Sequence, residues 1–372
     1  MKIRAMNLIE YLDGVISGKR KGFFPALMRL QLLEISLLSF GLIKLRNQLY
    51  SSRIIKSKSL PCKVISVGNI VVGDTGKTPT VISIAKMLRE SANLKIAILL
   101  RGYKSKIHGN TIVSDGNNIL HDQSEVGDEP YLIAKKLSDI PVIIGKDRIK
   151  SGLMAVKNFN TQVVILDDGF QYLKLNRDVN ILIVDSTQPY GYGYILPRGY
   201  LREPLYAVER ADIILLTKVD QCNDLNSLYK KLRMIAPSVP IFESIHRPTS
   251  LYAMNENENL PLDNIKGKNI LAVCGIANPL SFYNTLKSLY PSNITLMKFP
   301  DHHEYTIRDI NMIRQKMQET KSDYIVITEK DSMKLNVIRD LPVLVLKIEL
   351  ELVGSGTEFT SLIMKYISCS TT

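Results

Sequence analysis

Cysteine is scarce in this chain of 372 residues: it occurs only as Cys62, Cys222, Cys274 and Cys369. No two are spaced C-x-x-C and no histidine cluster lies beside them, which argues against a disulfide framework or a zinc site and fits a reducing compartment. Glu10 and Asp13 precede the first apolar segment and no small-residue cleavage site follows it, so a signal peptide is not expected. The longest uncharged stretch in that segment runs only from Ile35 to Ile43. A spanning helix needs roughly 20 apolar residues. Internal repeats and low-complexity tracts are absent. Beyond residue 60 no interleaving of aromatic and basic residues marks a nucleic-acid face, and no nucleic-acid partner is expected.

What is there begins with apolar content of 45%, enough for a large buried core. The net charge is +12 and unevenly placed. Residues 1–60 hold eleven Lys and Arg against three acids, a net +8. A basic end of this kind implies an anionic partner. The same end carries "FFPALMRLQLLEISLLSFGLI", residues 23–43. A helix lying in a membrane interface fits, with Lys19, Arg20, Lys21, Lys44 and Arg46 near lipid phosphates. An ordinary core helix with solvated basic ends is the alternative.

After residue 60 strand and helix patterns alternate. Strands are expected at 63–68, 95–101, 141–145, 162–167, 180–185, 212–217, 269–274, 293–299, 323–328 and 342–348. Most are continuous Val/Ile runs, as in strands buried on both faces of a mostly parallel sheet. Helices are expected between them, for example over 79–91, 130–138, 224–235 and 280–289. This is a doubly wound α/β pattern. The polar, turn-rich stretch 246–264 reads as a lobe boundary or an exposed excursion. The expected organisation is an amphipathic helical segment over 1–60, an α/β lobe over 61–245, and a second, smaller α/β lobe over 246–372.

Four stretches carry chemistry. "VGNIVVGDTGKTPTV", residues 67–81, leaves an apolar run and ends in Lys-Thr. A phosphate cradle of the form G-x-x-x-x-G-K-[ST] wants glycine five residues before Gly76, where this chain has Val71. Gly73 and Gly76 still allow close backbone approach, with Asp74 and Thr75 between them. Lys77 would reach outer phosphates, Thr78 would sit on Mg²⁺, and Pro79 suits a first helical turn. A glycine-rich turn with a surface lysine is the plainer reading. In "TQVVILDDGFQ", residues 161–171, a strand ends in Asp167-Asp168, as where a carboxylate helps hold Mg²⁺; a simple Asp-Gly turn signal is the alternative. "VGDEPYLIAKKL", residues 126–137, puts Asp128 and Glu129 before Pro130, which by spacing alone is helix N-terminal chemistry. "FPDHHEYT", residues 299–306, sets His302 and His303 after Asp301; an Asp–His neighbourhood can orient a general base.

Together with "LRGYKS", "YGYGYILPRGYLREPL", "LLTKVD", "GIANP" and "VITEKDSMKL", these stretches resemble, in order from about residue 60 to 335, the tetraacyldisaccharide 4′-kinase family. The resemblance implies a P-loop NTPase-like fold. It also implies ATP-dependent phosphorylation of the 4′-hydroxyl of an acylated glucosamine disaccharide 1-phosphate in lipid A synthesis, with ATP and Mg²⁺ as cofactors. Asp128 would be the catalytic base, supported by His302, with Asp168 organising the reacting groups. Gly73, Asp74, Thr75, Gly76, Lys77 and Thr78 would bind nucleotide, and Thr78, Asp167 and Glu129 would serve the metal. Arg198 and Arg202 would meet phosphate, or else belong to a structured surface loop. The family's loop also has a non-glycine at the position of Val71. It often has glycine where this chain has Asp74, and usually histidine where this chain has Tyr172. An inner-membrane lipid surface, approached from the cytoplasmic face by a monomer, is the expected setting.

One rival stays open from the residues alone. "LLTKVD", with Thr217, Lys218 and Asp220, resembles the guanine-reading [NT]-K-x-D element of a regulatory GTPase.

Overall fold

A computed structural model describes residues 11–73, 75–254, 259–335, 341–354 and 356–368. Asp74 and Cys369 lie outside the described residues. The chain forms β1 (Lys63–Gly68), β2 (Ile96–Leu100), β3 (Thr111–Ser114), β4 (Val142–Ile144), β5 (Val163–Asp167), β6 (Val179–Asp185) and β7 (Ile213–Thr217). There follow β8 (Ile241–Ala253), β9 (Asn259–Leu260), β10 (Asn269–Cys274), β11 (Asn293–Lys298), β12 (Tyr324–Thr328) and β13 (Val343–Val353).

All of them join one sheet in the order β11-β10-β12-β13-β8-β7-β6-β1-β5-β2-β4-β3, with β9 on β8. β1, β5 and β6 at its centre are buried along nearly their whole length, with Ile65, Ile165 and Ile181 fully enclosed. Helices cover both faces, which is why these strands read as unbroken apolar runs rather than alternations. The first group of strands, β7 to β2 and β4, runs parallel; β3 is antiparallel at the edge. The second group, β10 to β13, is parallel within itself.

β8 joins the two groups. It pairs parallel with β7 and antiparallel with β13. The stretch expected to be a polar excursion is therefore largely strand, and the boundary expected between 245 and 246 falls inside it. Pro248 argues against a central strand, because it cannot donate to a ladder. The ladder accommodates it with a register shift opposite Lys347 and Ile348. β8 also mixes polar and apolar side chains, most of them half-exposed, so the apolar periodicity that reveals other strands is missing.

Near the amino terminus Phe23–Ser51 is one helix of 29 residues, about 43 Å long at the usual rise. Ser36 alone of its residues is buried. It is tied to the body by polar contacts and by packing of Ile43 and Phe40. Ser36 Oγ donates to the Ile195 carbonyl at 2.5 Å and accepts from the Arg198 N–H at 3.0 Å. Arg46 and Asn47 donate to the fully buried carboxylate of Glu203. Phe23, Phe24, Leu30, Leu37, Leu38 and Leu42 are all more than half exposed. It is thus not a core helix. By length and composition it is apolar enough to cross a membrane, which the short uncharged run argues against.

Candidate functional site

A cleft of about 780 Å³ opens between the two strand groups, lined from both. On one side lies the loop after β1. Asn69 Nδ2 donates to Thr75 Oγ1 and to the Val71 carbonyl, each at 2.7 Å, and so fixes the loop from within. Val71 is buried and bridges to Leu201. A side chain at this position is part of the loop's anchor, so the glycine of the general pattern has no role there. Gly73 and Gly76 both have positive φ, +119° and +88°. Gly76 precedes the helix Lys77–Ala92, and a Cβ on it would stand 2.7 Å from His246 Nε2 on β8. Gly76→Ala is accordingly expected to distort the loop and weaken Mg-ATP binding by about 5- to 150-fold, a scale set by left-handed strain of about 1–3 kcal/mol. A calorimetric titration checks it; unchanged affinity would show that the loop does not hold the nucleotide.

Lys77 Nζ donates to the Gly73 carbonyl at 3.3 Å and lies 4.0 Å from Asp168. Thr78 lines the same cleft. β5 delivers the two aspartates, and they face differently. Asp168 sits at φ +52° and takes Arg202 on both oxygens, at 2.7 and 2.8 Å. Burial opposes its charge, but Lys77 and Arg202 outweigh this and hold the carboxyl below its ordinary range. Asp167 is buried, and among the described residues its Oδ1 has no hydrogen-bond partner. Burial first, then the nearby charges of Glu129 and Asp168, push this carboxyl well above its ordinary range. An orphaned oxygen among like charges is what a divalent cation would relieve. Among the described residues no three His, Cys, Asp or Glu side chains form a cage. That suits Mg²⁺, which takes one or two carboxylates together with phosphates and water.

Across the cleft Asp128 starts the helix Asp128–Lys136. Gln123 Nε2 donates to its Oδ1 at 3.0 Å, Lys334 Nζ reaches Oδ2 at 2.7 Å, and His302 Nδ1 stands 3.5 Å from Oδ2. Lys330 Nζ is 3.2 Å from His302 Nε2. A lysine only donates, so Nε2 accepts and the imidazole proton sits on Nδ1, toward Asp128. Burial opposes Asp128's charge, but His302, Lys334 and Gln123 prevail and keep the carboxyl far below its ordinary range. His302 comes from the second strand group, so this cluster exists only where the groups meet.

A family model described as tetraacyldisaccharide-1-P 4′-kinase matches residues 28–368. The chain belongs to this family of 4′-kinases. It is 39% identical over 346 residues to the tetraacyldisaccharide 4′-kinase of Syntrophus aciditrophicus, covering 90% of this chain and 91% of the relative. With the enzyme of that name from Halothermothrix orenii it shares 36% over 345 residues, 87% of this chain and 89% of the other. The crystal structure of "apo" form LpxK from Aquifex aeolicus in complex with ATP superposes with a TM-score of 0.71 at 32% identity. That match covers 91% of this chain and 99% of the other.

Within this kinase fold, Asp128, His302, Lys77, Thr78, Asp167, Asp168 and Glu129 all line the one cleft, as do Gly73 and Arg202. Arg198 does not; it stacks over Tyr194 at 4.6 Å and donates to the Ile16 carbonyl at 3.2 Å. The T-K-x-D element braces the loop. Thr217 Oγ1 donates to the Thr75 carbonyl at 3.0 Å, and buried Lys218 pairs with Asp185 at 2.6 Å. Asp220 faces a separate hollow beside Gln221. His303 pairs with Asp309 at 3.1 Å, away from Asp128. Gln123, Lys330 and Lys334 escape sequence reasoning. The two lysines, four apart, had a helical spacing to signal them; Gln123 had none.

Proposed function

We propose that this chain phosphorylates the 4′-hydroxyl of a tetraacylated glucosamine disaccharide 1-phosphate at the expense of ATP, a step in lipid A synthesis. The observation that carries this is the meeting, in one cleft, of a Lys77 phosphate loop with an Asp128–His302 pair contributed by two different strand groups. Asp128 accepts the proton of the 4′-hydroxyl while the new O–P bond forms, and His302 stabilises the charge that moves. The bond between the β- and γ-phosphates breaks and ADP leaves. Gly73, Asp74, Thr75 and Gly76 supply backbone donors, and Lys77 neutralises the terminal phosphates. Thr78, Asp167 and Glu129 would hold Mg²⁺, which when bound would supply charge neutralisation at the transferring group. Asp168, fixed by Arg202, orients Lys77. Positioning and charge carry such a reaction.

The acceptor is an acylated lipid anion, so the setting is a membrane surface. Residues 1–60 serve as the membrane-associating segment, 61–245 as the nucleotide lobe and 246–372 as the second lobe, acting as a monomer at the cytoplasmic face of the inner membrane. The exposed apolar stripe of the N-terminal helix supports this, flanked by Lys19, Arg20, Lys21, Lys44 and Arg46. Each basic residue near an anionic surface is worth about 1 kcal/mol. Replacing these five with Gln is expected to weaken vesicle binding, most at low salt. Activity on vesicle-borne glycolipid should fall more than on detergent-dispersed substrate. Unchanged sedimentation with anionic vesicles would refute the electrostatic attraction. The function itself is tested with purified protein, the glycolipid 1-phosphate and either Mg-ATP or Mg-GTP. The product should gain one phosphoryl mass on the distal sugar with ATP; nucleotide turnover indifferent to glycolipid would instead support a regulatory GTPase or ATPase.

A further inference from the structure

Asp331 lies on the short helix Glu329–Ser332 and is only 2% exposed. Its neighbours Thr328, Glu329 and Lys330 line the cleft, and Asp331 stands behind them. A buried carboxylate is costly unless donors fill its oxygens. Here three donors do so, each from the end of a different strand. Oδ1 accepts the Gly275 N–H at 3.0 Å and the Tyr305 hydroxyl at 2.9 Å, and Oδ2 accepts the Thr328 hydroxyl at 2.6 Å. Gly275 follows β10, Tyr305 lies beyond β11, and Thr328 ends β12. These strands are parallel neighbours, so one side chain ties together the loops at their carboxyl ends.

The tied loops carry the groups around Asp128. The Gly275 carbonyl accepts the His302 N–H at 3.1 Å. His302 itself is left-handed, at φ +56°, a conformation that a non-glycine residue keeps only where its surroundings impose it. The Tyr305 ring packs edge-on against Phe299 and His303, each at 5.1 Å, and so closes the loop on either side of His302. From the end of β12, Lys330 reaches His302 Nε2 at 3.2 Å. The Asp331 carbonyl accepts the Lys334 N–H at 2.9 Å, in the turn that brings Lys334 to Asp128. The His302–Asp128 separation of 3.5 Å is at the outer limit of a hydrogen bond, so a small shift of this loop undoes it.

We infer that Asp331, with Tyr305, is the positioning group that holds His302 against Asp128 without touching substrate itself. This rests on the reading of Asp128 and His302 as the proton-accepting pair. The clamp acts on one wall of the cleft. The phosphate loop is held separately, through Asn69 and Thr217, so nucleotide binding should not feel a change at Asp331.

The test uses the full chain, with turnover counted per molecule that binds Mg-ATP by calorimetry, so that unfolded protein does not enter. Asp331→Ala is expected to lower kcat by about 10- to 100-fold, with the KM for Mg-ATP within about 3-fold of the parent. Asp331→Asn keeps an acceptor for Gly275 and Tyr305 and should recover most of the loss. In a His302→Gln background, Asp331→Ala should cost less than about 3-fold more, because the residue it positions is gone. Tyr305→Phe, which keeps the ring, should lower kcat by about 2- to 5-fold in the parent and leave the His302→Gln form unchanged. Imidazole nitrogen resonances give a second readout that needs no turnover. Those of His302 should move in Asp331→Ala; those of His108 and His121, which flank β3 at the far edge of the sheet, should not. If Asp331→Ala binds no Mg-ATP, Tyr305→Phe carries both comparisons. Equal losses with and without His302, a change confined to the KM for Mg-ATP, or unmoved His302 resonances would overturn the inference. Moved resonances together with parent-like turnover of His302→Gln would uphold the positioning and overturn the reading of His302 as support for the base.

Discussion

Lys77→Ala is expected to abolish phosphoryl transfer while leaving the fold in place. Lys77 follows the left-handed Gly76, and its ammonium lies between the Gly73 carbonyl and Asp168. Those two contacts hold it where terminal phosphates would lie, above the start of the helix Lys77–Ala92. Loss of one preorganised charge at a transferring group costs on the order of 10²–10³-fold in turnover, and here the same lysine also gathers the nucleotide. The fold should survive for a stated reason: Asp168 keeps both bonds from Arg202 when Lys77 is gone. The measurement is turnover at saturating Mg-ATP together with the melting temperature. Near-normal turnover would reject the phosphate-loop assignment, whatever the melting curve shows.

Asp128→Asn is expected to lower kcat by about 10²–10⁴-fold, the usual scale for removing a general base, with smaller changes in either KM. Asn keeps the volume and can still accept from Gln123, so packing near the cleft is preserved. What it lacks is the charge that pairs Lys334 at 2.7 Å and the capacity to take a proton. Lys334 is nearly buried, so part of the penalty should also appear as lost stability. His302→Gln should follow in the same direction with a smaller effect, because it acts on the proton through Asp128. Damage confined to the KM for ATP would make Asp128 a metal or nucleotide ligand instead of the base.

Much of the frame is legible in the amino-acid order. The buried strands announce themselves as unbroken Val/Ile runs, and β10, for example, begins and ends where expected, at Asn269 and Cys274. The strand, loop and helix around Gly73, Gly76, Lys77 and Thr78 are readable even with Val71 out of pattern, because they follow one another locally. β8 is not legible. Its polar and apolar side chains alternate without a clear period and most are half-exposed, it contains Pro248, and its pairing with β13 is a contact across about a hundred residues that no local period records. The N-terminal helix shows the same limit. Its apolarity is plain in the sequence, but whether it packs inside the core depends on partners elsewhere, and the body meets it through polar contacts of Ser36, Arg46 and Asn47 and apolar contacts of Phe40 and Ile43.

The sequence by itself determined which elements form and which residue types could handle phosphate, because propensity, periodicity and turn chemistry act over a few residues. The tertiary structure alone decided which of those residues work together. Asp128 and His302 are 174 positions apart, and Asp128 by itself reads as an ordinary helix start. Only the joining of the two strand groups through β8 brings His302 and Lys334 to it, and only there do their donors, with that of Gln123, turn a first-turn carboxylate into a firmly charged, hydrogen-bonded group facing a cleft.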